Sequence, residues 1–209
     1  MSLRIREPFN ALSHLVGAVL TAIGASYLVL LHQGVFLAWF GFAIYGVMAT
    51  TLFAASAAYH WSVAGEHALR KFDHASIYLM IAGTYTPVCL LAMQGSTRIT
   101  VLSIEWGFAL IGIAATFVMA KPPTWLRLTL YLVMGWITLP ILGSLASVVS
   151  WTGVAWMLAG GLVYTLGTVV YAAKRPNPWP DTFGSHGLWH LFVVGGAACH
   201  FVLMFYLVP

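Results

Sequence analysis

Apolar residues run along this chain in blocks of about two dozen, separated by short polar connections, and within the blocks there is none of the strict alternation that marks half-buried strands. A helix needs about 20 residues to cross the hydrocarbon core of a bilayer. Seven blocks of that length are predicted, near residues 10 to 32, 35 to 61, 73 to 94, 99 to 119, 126 to 149, 151 to 173 and 186 to 208. A spanning sheet would have to close into a barrel of short alternating strands, which this pattern excludes. The expected fold is therefore all-α: one polytopic membrane domain over residues 1–209, a bundle of seven transmembrane helices. The longest connection, Lys174 to Ser185, carries three prolines and is too short for a soluble domain, so any chemistry must be built from helix side chains.

Composition agrees, with 61% hydrophobic and 7% charged residues and a mean hydropathy of +0.90. Charge adds an orientation. Arg4, Arg6, Arg70, Lys71, Lys121, Arg127, Lys174 and Arg175 fall on one side of the predicted spans and only Arg98 on the other. The positive-inside rule then places the N-terminus in the cytoplasm and, after seven spans, the C-terminus outside. The net charge of +4 follows from this bias; basic residues paired at helix ends, not a continuous patch, give no nucleic-acid partner. The first block follows two arginines like a signal peptide but is span-length and polar near its start, so it reads as a retained helix. Cys89 and Cys199 fall within spans and read as buried packing residues. Pro87 and Pro140 should kink their helices. Trp61, Trp125, Trp151 and Trp179 read as interfacial anchors, and Glu105 is expected near the outer interface beside Trp106.

The candidate chemistry gathers at the cytoplasmic face. Ionisable groups within apolar spans are costly and point to a functional site. His186 and His190, four apart, share a helix face with Cβ atoms about 5–6 Å apart, so the two imidazoles can share a metal; interfacial histidines capped by water are the alternative. Ser56 and His60 share a face of the second span, and Asp73 opens the third, where it could instead pair with Arg70 or Lys71 as a helix-start acid. Zinc on the imidazoles of His60, His186 and His190, with one open position, would make bound water acidic enough to react at neutral pH. Asp73 would serve as base or orienting acceptor and Ser56 as donor to a substrate carbonyl. Asn10 and His14 share a face that could look toward this site, and Glu7 reads as an interfacial acid. His74 should be turned about 100° away from Asp73. His200 lies too far along the helix to join the metal and reads as a buried polar contact, while His32 and His67 fall in connections.

The ordered set Glu7-x-x-Asn10-x-x-Ser13-His14, Ser56-x-x-x-His60, Asp73, Gly83-Thr84-Tyr85-Thr86-Pro87 and His186-x-x-x-His190 resembles the hemolysin III family, the bacterial branch of the progestin and adipoQ receptor (PAQR) proteins. The resemblance spans nearly the whole chain. It implies seven helices in the bacterial inner membrane, with zinc on the histidines matching His60, His186 and His190 and with Asp73 and Ser56 close by. That superfamily is also similar to the alkaline ceramidases, which implies a zinc-dependent hydrolase acting on a lipid amide or ester from the cytoplasmic leaflet. Two other functions stay open: a seven-helix receptor or membrane-state sensor with structural zinc, and a pore-forming hemolysin.

Overall fold

Long apolar segments satisfy their own backbone hydrogen bonds only as helices when lipid offers no partner, and the computed structural model is helical throughout. It describes residues 5–180 and 182–208; Arg4 and Asp181 lie outside these. In chain order the helices are α1 (Pro8–Leu31), α2 (Phe36–Trp61), α3 (Glu66–Ala92), α4 (Gly95–Val118), α5 (Thr124–Gly135), a 3₁₀ turn (Leu139–Ile141), α6 (Leu142–Ala173) and α7 (Ser185–Met204). Among the described residues no sheet strand occurs, only a single bridge between Trp179 and Phe183. Six stretches are long and apolar enough to cross a membrane, the fifth being the whole of Thr124–Ala173, 50 residues. The chain is thus a polytopic helical membrane protein, with six such stretches in place of the seven expected.

The merged stretch is irregular. α5 ends at Gly135, where Ile137 and Leu139 switch to i−3 bonding, because Pro140 has no N–H to give Trp136 and its ring disfavours helix in the residue before it. The expected kink at Pro140 is therefore a break. A second irregularity falls at Ser150, whose φ of 63° and ψ of 164° lie outside any helical region. The chain folds back between them: the Trp136 indole N–H donates to the Thr165 hydroxyl at 3.0 Å, although 29 residues of straight helix would hold them about 43 Å apart. At Pro87, by contrast, α3 continues unbroken.

Packing follows the small residues. A Cβ on Gly46 of α2 would strike Ala25 of α1, one on Gly112 of α4 would enter the Tyr78 ring of α3, and one on Gly196 of α7 would lie 2.7 Å from the Tyr164 ring of α6. Such close approach is how helices associate where lipid is as apolar as their side chains. The core runs through Phe42, Tyr45, Phe53, Leu145 and Leu203. The outward faces of α1, α4 and α6 carry exposed leucines, isoleucines and valines, as a lipid-facing surface does.

Two boundaries differ from the sequence reading. α3 starts at Glu66 rather than near residue 73, because Gly65 takes a left-handed conformation (φ 70°) that ends the preceding turn. His67 is accordingly helical, and Asp73 lies two turns inside α3 instead of at its first residue.

Candidate metal centre

The end of α2 and the start of α7 bring three imidazoles together. His60 Nε2 lies 3.4 Å from His186 Nε2, and His186 Nε2 lies 3.4 Å from His190 Nε2. A ligand nitrogen from each falls within 4.8 Å of the other two. Tetrahedral ligands at about 2.0–2.1 Å from zinc stand about 3.3–3.4 Å from one another, so the two measured spacings fit a metal held between the rings. His60 and His190 are 1% and 2% exposed. In the tautomers that leave each Nε2 unprotonated, three lone pairs would converge on the point a shared cation would occupy, and the three histidines can form a metal site.

Glu7 supplies the orientation. The His60 Nδ1–H donates to Glu7 Oε2 at 2.9 Å, which fixes the tautomer and turns the Nε2 lone pair toward the cluster. Asn10 Nδ2 donates to the same oxygen at 2.6 Å. The bond from His60 draws the Glu7 carboxyl down to about 2, against the burial that acts the other way. Main chain reinforces it: Glu7 N–H donates to the His60 carbonyl at 3.0 Å, and Arg6 N–H to that of Trp61. Arg6 stacks over the Tyr59 ring at 4.2 Å and pairs with Glu7 and Glu66. Sequence reasoning left Glu7 as an interfacial acid; the Glu-x-x-Asn spacing, one helical turn before a cluster of polar residues, was the signal available.

Ser56, 3% exposed, lies one turn deeper than His60 on α2 and shares a cavity wall with Asp73. Ser56, Asp73, His186 and His190 line one cavity together with His14, Tyr171 and Arg127. Asp73, His60 and His186 also line a second cavity with Arg70, Lys71, Lys121 and Arg127. Asp73 has no ion pair within 4 Å to Arg70 or Lys71 among the described residues, and Lys71 donates instead to the Phe117 carbonyl. His74 departs from expectation: it lines both cavities, because the Arg127 guanidinium contacts its ring and Tyr131 O–H donates to its carbonyl at 2.7 Å. His14 packs its ring 3.9 Å from that of His190. His200 is remote, its Nε2 donating to the Met157 carbonyl at 3.2 Å. Both cysteines are free thiols.

Beyond the centre the first cavity shares walls with a third, almost wholly apolar, between α3, α5, α6 and α7. Leu52, Ile77, Tyr131, Trp189 and Val193 belong to both, and Met80, Ile81, Leu132 and Trp136 extend it toward the break after α5.

A family model described as "Haemolysin-III related" matches residues 3–201. The chain belongs to the haemolysin-III related family. It is 34% identical to the "Hemolysin-3 homolog" of Bacillus subtilis (strain 168) over 97% of this chain and 94% of that protein. It is 32% identical to the "Hemolysin-3" of Bacillus cereus over 97% and 92%. The likeness reaches the PAQR proteins as well, with 28% identity to the human "Monocyte to macrophage differentiation factor" over 76% of this chain and 66% of that one.

Proposed function

We propose that this haemolysin-III family member is a zinc-dependent hydrolase of a lipid amide or ester. The observation that carries the reading is the adjacency of two cavities: the one lined by Ser56, Asp73, His186 and His190 shares walls with an apolar cavity inside the bundle. Zinc on His60, His186 and His190 would supply Lewis acidity at neutral pH. Asp73 would take the proton from an attacking water, Ser56 would donate to the carbonyl oxygen of the substrate, and the cavity walls would hold the acyl chain away from water. Glu7 keeps His60 in the tautomer that leaves Nε2 free. Imidazole nitrogen is also a ligand for other divalent ions, so the metal identity is part of the proposal.

In this reading the chain crosses the membrane seven times. Fifty residues of helix would extend about 75 Å, more than twice the hydrocarbon thickness of about 30 Å, so Thr124–Ala173 crosses twice and turns at Ser150. The basic residues around the histidine end then face the cytoplasm, the C-terminus lies outside, and the site opens to the cytoplasmic leaflet of the bacterial inner membrane.

Fatty-acid release from ceramide in mixed micelles, by the zinc-loaded full chain and by Asp73→Asn, tests the reaction. Turnover that falls at least a hundredfold in the variant while zinc stays bound is the expected result; zinc-loaded protein that releases nothing from amide or ester lipids would sink the hydrolase. One observation favours the second reading, a receptor or sensor with structural zinc: α2 and α7 have little backbone contact, so a shared metal would be a principal tie between them. In that case zinc removal would lower the melting temperature while Asp73→Asn changed no lipid.

A further inference from the structure

Glu105 was expected at the outer interface and is found 0% exposed, midway along α4. Its position explains the burial: Val101, Glu105, Ala109, Gly112 and Thr116 form the inward stripe of α4 at helical spacing. Neither carboxyl oxygen has a hydrogen-bond partner among the described residues. An ionised carboxylate in such a place is costly unless it is paired, so the group takes a proton or a cation.

No cation faces it. α4 packs against α3 and α5. From α3 the titratable groups near enough to feel its charge are Tyr85 and Cys89, neither of them cationic. Arg127 and Tyr131 of α5 are engaged with His74 at the histidine end, and Arg98 of α4 donates to the Met93 carbonyl at 2.8 Å. Tyr85 of α3 reaches the break in α5: its hydroxyl donates to the Gly135 carbonyl at 2.7 Å and lies 3.3 Å from the Thr138 hydroxyl. An unpaired acid at membrane depth is the kind of group that binds protons and small cations in helical transporters.

We propose that Glu105 is a proton-binding site at mid-membrane, separate from the histidine centre, which holds its proton at neutral pH and gives it up to water as the pH rises. The histidine centre does not require it, and its ligand is the proton itself.

The membrane-soluble reagent N,N′-dicyclohexylcarbodiimide tests this on the full chain in liposomes. It reacts with a protonated carboxyl by adding the acid across one C=N bond and rearranging to a stable N-acylurea, with no atom lost, so peptide mass spectrometry locates it among the five acidic residues of the chain. Expected is labelling of Glu105 that is at least tenfold faster at about pH 6 than at about pH 9. A rate unchanged over that range means a proton that never leaves and overturns the proposal. So does a Glu105 left unlabelled in the folded protein but labelled after denaturation in detergent. Protection by sodium at constant pH would also overturn it, making the site one for a metal cation. Glu105→Gln is expected to fold, to lose the label there and to retain metal at the histidines; the wild-type pH series stands if that variant fails to fold.

Discussion

The two halves of α7 solve opposite problems. Its first turns, with His186 and His190, bury imidazoles that need a partner from another helix, and that partner is His60 of α2, itself held by Glu7. Its later turns, from Gly195 to His200, close mainly on small residues: Gly196 admits the Tyr164 ring, and the ring of His200 lies over Gly160 with its one polar partner the Met157 carbonyl. The first half is specified by polar geometry, in which an error of an ångström loses the function. The second is specified by the absence of side chain, in which an added carbon loses the fit. One helix therefore carries chemistry and assembly in separate segments.

The largest test of that separation is the double variant His186→Ala/His190→Ala. Mass-spectrometric metal content of detergent-purified protein is expected to fall from about one zinc per chain to background; retention of metal would place the ion elsewhere. Gly196→Leu should leave metal content near wild type while lowering unfolding stability by up to about 3 kcal/mol, since the ring of Tyr164 must move. If it strips the metal as well, the halves are not separable. Glu7→Gln keeps the shape but weakens the acceptor for His60, and a loss in zinc affinity of about 10–100-fold is expected, read by competition with a chelator. The smallest effect is a control away from α7. Ser150 has a backbone conformation suited to glycine, so Ser150→Gly should raise stability by about 1 kcal/mol in thermal unfolding and leave zinc affinity unchanged.

How far the sequence discloses these features depends on the range of the interaction behind each. His186 and His190 are legible because their relation is local, four residues on one helix. The burial of the spans is legible from apolar content alone. Glu7 is not, since its partner is 53 residues away and an acid before a helix has an ordinary reading at the surface. Glu105 misled through its neighbour: Trp106 suggests an interface, whereas the inward stripe of α4 is visible only when the small residues Ala109 and Gly112 are counted as packing positions. The start of α3 was misplaced because Arg70 and Lys71 look like a loop, although charged residues are good helix formers once α3 projects beyond the apolar core. The fold-back at Ser150 has neither glycine nor proline at the turn itself; span length alone divides the apolar run there, between residues 149 and 151, and the Ser150 backbone and the Trp136 to Thr165 bond agree with it.

The pinning of Glu7 and Arg6 to the last residues of α2 has a consequence for biosynthesis. His60 and its carboxylate partner emerge from the ribosome early and can meet at once, but the cluster stays incomplete until α7, the last of the described helices, has entered the membrane 126 residues later. Truncated or stalled chains would display a lone oriented imidazole and no triad. Metal acquisition by this centre would thus report that insertion has run to completion, giving the cell a chemical mark that separates finished molecules from fragments.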